Sequence, residues 1–99
     1  MKIYLDDIRF PEYPENVTII RNYNDFAFTW ETNKQNITFV SFDHDLGENS
    51  KSGYNAICLI ERDYYHNIIS HDIELNCHSA NPVGAARINQ VIENIKKRR

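Results

Sequence analysis

Between Ser41 and Gly47 the chain reads Ser-Phe-Asp-His-Asp-Leu-Gly, which sets an imidazole, His44, between two carboxylates, Asp43 and Asp45. Acids beside an imidazole can move protons, orient one another or hold a cation. Two other stretches bring the same chemistry. Lys2 to Leu5 runs into Asp6-Asp7, with Arg9 close behind, and Ile73 to Cys77 runs into His78-Ser79-Ala80-Asn81. Each burst of polar residues follows a short apolar run. Side chains alternate faces along a strand, so three consecutive reactive residues belong where a strand stops and the chain turns. In open α/β sheets that place, the carboxyl end of a strand, is where ligands bind.

The elements that must position these groups follow from hydrophobic pattern. Lys2 to Leu5, Val17 to Arg21, Ile37 to Phe42 and Asp72 to Cys77 read as four short strands. Ile8 to Asn16, with Pro11 and Pro14, reads as a loop. Asn24-Asp25 reads as a cap opening a short helix whose buried stripe is Phe26, Ala27 and Trp30, fading near Asn33 to Asn36. Gly53 to His66 carries Ala56, Ile57, Ile60 and Tyr64 on one face. Asn81-Pro82 opens the last helix, where Ile88, Val91, Ile92 and Ile95 keep an i, i+3, i+4, i+7 period. Lys96 to Arg99 places basic groups at the negative end of its dipole. The order β-β-α-β-α-β-α predicts a small three-layer α/β fold around a mainly parallel four-stranded sheet.

The 99 residues suit a single domain spanning 1–99, and 41% hydrophobic with 25% charged residues is a globular composition. A net charge of −3 argues against an extended nucleic-acid surface, though not against one nucleotide in a pocket. There is no long apolar run for a membrane span, so a cytoplasmic protein is expected. Cys58 and Cys77 lack metal spacing and read as buried reduced thiols, while His66 and His71 read as surface loop residues. The Asn-, Ile- and Tyr-rich composition suits an AT-rich genome such as a bacteriophage's.

In a parallel sheet the strand ends share one edge, so Asp6, Asp7, Asp43, His44, Asp45, His78, Ser79 and Asn81 fall along one rim. Two unit charges about 4 Å apart repel by roughly 4 kcal/mol at an effective dielectric of 20. Converging acids therefore call for protonation, outward rotation or a cation; Mg²⁺ or Mn²⁺ suits oxygen ligands, the imidazoles favouring Mn²⁺. A metal-free acid–base pair, His44 and His78, is the alternative. At the last helix Asn81-Pro82-Val83-Gly84 reads as a phosphate cradle, with the amides of Val83 and Gly84 free and Ser79, Arg9 and Arg87 available for further contacts.

Leu-Asp-Asp, Ser-Phe-Asp-His-Asp-Leu-Gly, Gly53-Tyr54 and His-Ser-Ala-Asn-Pro-Val-Gly, in this order over nearly the whole chain, resemble the cyclic-phosphate-processing receiver family. The resemblance implies a flavodoxin-like receiver variant and action on a cyclic phosphate, either a 2′,3′-cyclic RNA end, as in RNA repair, or a cyclic nucleotide. It places Asp6 and Asp7 where receivers hold their metal-binding acids, Asp43 at the phosphoacceptor position and Ser79-Ala80 at the Thr/Ser-Ala pair. The chain departs from receivers in lacking a fifth strand with its lysine, in having a loop between the first two strands, and in carrying Ala85-Ala86 where relatives place an arginine after Gly84. The expected function is a cyclic phosphodiesterase. Asp6, Asp7 and Asp43 would hold a cation, His44 and His78 would be base and acid, and Asp45 would orient a histidine. Ser79, Asn81 and Gly84 would hold the phosphate. A sequestering cyclic-nucleotide module and a degenerate receiver for protein interaction are the rivals.

Overall fold

A computed structural model describes residues 1–12 and 15–98. Tyr13 and Pro14 of the first loop and Arg99 of the basic terminus lie outside the described residues. The elements are β1 (Lys2–Leu5), β2 (Val17–Ile20), α1 (Tyr23–Asn33), β3 (Phe39–Phe42), α2 (Gly53–Tyr65), β4 (Glu74–Cys77) and α3 (Pro82–Arg98), with a 3₁₀ turn at Lys34–Asn36. The strands form one sheet in the order β2-β1-β3-β4, and every pairing is parallel. Among the described residues this is the expected α/β arrangement around a parallel four-stranded sheet, with no fifth strand.

The register explains which residues are buried. Thr18, Ile3, Val40 and Leu75 align across the sheet, as do Ile20, Leu5, Phe42 and Cys77 one pleat further. These two rows share a face, and Ile3, Leu5, Val40 and Phe42 on it are fully buried. They join one apolar cluster with Phe26 and Trp30 of α1, Ala56, Ile57 and Ile60 of α2, and Ile88, Val91, Ile92 and Ile95 of α3. The helices therefore cover a single face. On the other face Tyr4, Val17, Ile19 and Phe39 are half-buried and Lys2, Glu74 and Asn76 exposed. No described helix covers that face; Pro11 of the β1–β2 connection borders the same hollow as Tyr4 and Val17.

Several boundaries move for local reasons. The cap of α1 is Asn22, not Asn24: its backbone is extended (φ −150°) and its Oδ1 accepts the Asp25 N–H at 2.8 Å. Asn24 already lies in the first turn, and Ala27 is only half-buried. The third and fourth strands each begin two residues later than expected, at Phe39 and Glu74, because Ile37 and Ile73 bury fully as core residues just outside the ladder. His71 is not a free surface residue; its Nε2 donates to the Ile37 carbonyl at 2.8 Å. Cys58 and Cys77 are free thiols, half-buried rather than fully so.

A charge in the core was not anticipated. Asp63 is fully buried and accepts from Trp30 Nε1 at 2.8 Å, Lys34 Nζ at 3.0 Å and Arg62 Nε at 3.0 Å. A buried carboxylate is tolerated only when it is satisfied in this way, and the same bonds pin α1 to α2.

Candidate functional site

The parallel ladder continues one residue beyond the strands. Asp6 N–H bonds the Ile20 carbonyl at 3.0 Å, Asp43 N–H the Leu5 carbonyl at 2.9 Å and His78 N–H the Phe42 carbonyl at 2.9 Å. Asp6, Asp43 and His78 thus form a further row across the sheet. By alternation that row faces away from the helices, on the side of Tyr4, Ser41 and Asn76, which occupy the row two residues earlier. Three sequence-distant motifs meet here because the strands are parallel and in register.

Asp6 is the centre of this group. It is fully buried; Oδ1 accepts the backbone N–H groups of Ile8 at 3.0 Å and Arg9 at 2.8 Å, and Oδ2 accepts Arg9 Nε at 2.9 Å and His78 Nε2 at 3.1 Å. Four donors fill the four lone-pair positions of a carboxylate. Burial alone would raise the Asp6 pKa, but the bonds from Arg9, Ile8 and His78 and the Arg9 charge outweigh it and hold it below the ordinary carboxylate value. Arg9 also reaches Asp43 Oδ1 through an Nη at 3.3 Å, so its guanidinium bridges the two acids while 45% of its side chain stays exposed.

Beyond Asp6 the network continues through His78. Its Nδ1 lies 2.7 Å from Ser41 Oγ, which also accepts Asn76 Nδ2 at 3.0 Å. With Asp6 anionic, the network assigns the proton to Nε2 and leaves Nδ1 to accept the Ser41 hydroxyl. Burial lowers the His78 pKa below 6.5, although the Asp6 carboxylate opposes the shift, and the ring is neutral at pH 7. The ring stacks on Tyr4, centroids 4.2 Å apart and planes 8° from parallel. A hollow of about 380 Å³ opens on this face beside Tyr4, Phe39, Ser41, Asn76, His78 and Pro11. Ser41, Asn76 and Tyr4 went unassigned in the sequence, yet each stands two residues before a row member. That spacing is the signal that puts them on its face.

The remaining expected residues gather elsewhere. His44 Nδ1 lies 2.9 Å from Asp45 Oδ1, and Asn81 Nδ2 reaches Asp45 Oδ2 at 3.3 Å. The His44 ring rests on Gly84 at the start of α3, where a methyl group would overlap ring atoms Cγ and Cδ2. His44 Nε2 is buried, with no hydrogen-bond partner among the described residues. His44 therefore belongs to the helix side of the sheet and does not share a pocket with His78. The cradle expected at Gly84 is also corrected: Asn81 Oδ1 caps the helix by accepting the Gly84 N–H at 3.1 Å, so that amide is taken. Gly84 is small to seat His44, not to admit an oxyanion. Ser79 Oγ accepts the Asn81 N–H at 3.1 Å, and the Arg87 guanidinium stacks 4.0 Å over Tyr54. Gly53 packs so closely on the turn that a methyl there would overlap the Asp43 carbonyl oxygen, while its N–H holds the His44 carbonyl at 2.8 Å. Gly47 turns the chain at φ +105°.

Oxygens of Asp6, Asp7 and Asp43 lie within 4.8 Å of one another, a spacing that suits a divalent cation. Asp6, however, has no lone pair to offer while Arg9 and His78 hold it. A cation would be taken chiefly by Asp7 and Asp43, in competition with the Arg9 contact to Asp43 while Arg9 keeps its bond to Asp6.

No helix among the described residues is long and apolar enough to cross a membrane. Compared with known families, residues 1–94 match the one described as cyclic-phosphate processing receiver domain. No curated protein and no solved structure matches the chain.

Proposed function

The chain belongs to the cyclic-phosphate processing receiver family, and from that premise we propose that it hydrolyses a cyclic phosphate ester on the helix-free face of its sheet. The observation that carries this is the row Asp6-Asp43-His78 bridged by Arg9. A guanidinium has five N–H donors, and those not spent on Asp6 and Asp43 remain for a phosphoryl oxygen. A neutral imidazole at pH 7 can accept and return a proton, and Asp6 fixes its orientation and steadies its charged form. Asp7 and Asp43 would hold Mg²⁺ or Mn²⁺, which supplies positive charge to the phosphoryl group when bound. His44 is left out of the acid–base pair, because its ring is seated on Gly84 and tied to Asp45.

The substrate class is a five- or six-membered cyclic phosphodiester, as at a 2′,3′-cyclic RNA end or in a 3′,5′-cyclic nucleotide. The test is to incubate the protein with both classes, with Mg²⁺, with Mn²⁺ and with chelator, following the phosphorus by NMR. Ring opening to a monoester is expected, with a loss of about 10²- to 10⁴-fold in His78→Ala. Failure to open either class under any of these conditions refutes the reading. Tight binding with the ring recovered intact would make the protein a sequestering module instead.

A further inference from the structure

The geometry points to Ser41 as a nucleophile, the third member of an Asp6–His78–Ser41 relay that opens into the hollow on the helix-free face. This rests on the reading that the site processes a phosphate ester. A weak hydroxyl nucleophile needs a base within hydrogen-bond reach, and that base needs a third group to orient it. Ser41 Oγ lies 2.7 Å from His78 Nδ1, and His78 Nε2 lies 3.1 Å from Asp6 Oδ2. The orienting acid is itself immobilised by three further donors from Ile8 and Arg9. The Tyr4 ring fixes the imidazole plane.

The hydroxyl also has the capacity to react. It donates its proton to His78 and accepts one bond from Asn76, which leaves one lone pair of Oγ uncommitted. Ser41 is only 3% exposed, but it lines the hollow of about 380 Å³, a volume within the range of small-ligand pockets. Tyr4 and Phe39 give that hollow aromatic walls for the organic part of an ester.

The step balances as follows. Ser41 Oγ forms a bond to phosphorus as one P–O bond of the ring breaks. The hydroxyl proton passes to His78 Nδ1, and the imidazolium, paired with Asp6, delivers it to the leaving oxygen. Water then attacks the serine-bound diester, losing a proton to His78, which returns it to Ser41 Oγ as the O–P bond breaks. Asn76 is a positioning residue, holding Oγ in line with Nδ1.

The test treats the folded protein with a fluorophosphonate, which transfers its phosphorus to an activated serine with loss of fluoride, and maps the adduct by mass spectrometry. Labelling of Ser41, and not of Ser50, Ser52, Ser70 or Ser79, is expected, slowed at least 100-fold in His78→Asn. Ser41→Ala should lose 10²-fold or more in kcat on the cyclic ester with KM little changed. Absence of a Ser41 adduct in wild-type protein that turns over substrate would overturn the inference, and so would turnover by Ser41→Ala within threefold of wild type. Either result would reduce Ser41 to a residue that sets the His78 tautomer, leaving the proposed hydrolysis intact. A Ser41 adduct in protein that opens no cyclic ester would sustain the nucleophile and remove the proposed hydrolysis.

Discussion

Arg9→Gln is the substitution that most directly probes the charge balance of the site. It removes the guanidinium that lies 2.9 Å from Asp6 and 3.3 Å from Asp43. At the 4.8 Å limit of the acid cluster, two carboxylates repel by about 3.5 kcal/mol at an effective dielectric of 20. Arg9 is 45% exposed, so solvent and salt already screen much of what it offsets, and a net loss of about 1–2 kcal/mol is expected. For a chain of this size that is a fall of about 5–15 °C in Tm. A divalent cation should reverse the sign. With its competitor gone, Mn²⁺ should bind about tenfold more tightly, equivalent to about 1.4 kcal/mol. Mg²⁺ at 100 times its Kd would return about 2.7 kcal/mol, enough to lift the variant above its own metal-free state by more than it lost. Calorimetric titration with Mn²⁺ and thermal melts with and without Mg²⁺ read both effects. A variant as stable as wild type and unchanged in Mn²⁺ affinity would refute Arg9 as the counter-ion of the acids.

Two further substitutions separate the parts of the molecule. Asp63→Asn should cost about 2–4 kcal/mol in urea unfolding, since it breaks charge-assisted bonds from Lys34 and Arg62 in the core. Burial pushes the Asp63 pKa up, but the bonds from Arg62, Lys34 and Trp30 outweigh this and hold it below 3.8. A depressed folded pKa means its contribution is complete above the unfolded value and is lost as pH falls through the folded one. Wild-type melts should therefore decline below about pH 4, and Asp63→Asn should flatten that decline while Asp6 preserves part of it. Gly84→Ala should displace the His44 ring at a cost of about 1–3 kcal/mol, visible in the His44 NMR resonances. Because His44 helps to mount the Asp43 turn, turnover of a cyclic ester should fall in step with any shift of the Asp43 resonances. Loss of turnover in folded Gly84→Ala with the Asp43 resonances unmoved would return His44 to the reaction.

The strands, the helices and their order were legible in the sequence because each carries its own period. Ile88, Val91, Ile92 and Ile95 are all buried where the helical repeat puts them. The convergence of Asp6, Asp43 and His78 was legible too, since parallel strands deliver their carboxyl ends to one edge. What the pattern could not supply was sidedness. Asp43 and His44 are neighbours in sequence and fall on opposite sides of the sheet, because the chain alternates before it turns. Asp63 was invisible for a related reason: a carboxylate inside an amphipathic helix reads as solvated surface. Only the approach of Trp30, Lys34 and Arg62 makes it a core residue. The glycines hid a third thing. Gly53 opens α2 as read, but at both Gly53 and Gly84 the missing side chain also lets another part of the site pass against the backbone, and at Gly84 the space expected for an anion is filled by the His44 ring.

That double use of glycine joins the two sides of the Asp43 turn. Gly53 N–H holds the His44 carbonyl, and Gly84 receives the His44 ring, so α2 and α3 grip the turn from the helix side. Asp45 completes the grip, bonding His44 Nδ1 while Asn81, the cap of α3, bonds Asp45. The His44-Asp45-Asn81 group is then the mount, and the Asp6-Asp43-His78 row is what is mounted. A receiver places helices on both faces, whereas here β1 and β2 are joined by a loop, and the face a helix would cover is open beside Ser41 and His78. An acid–imidazole–hydroxyl chain on a sheet face can meet a small ester only if no helix lies over it. Under the hydrolysis we propose, the uncovered face and the histidine at position 78 are two parts of one arrangement: the face admits the ester, and His78 stands where it would act on it.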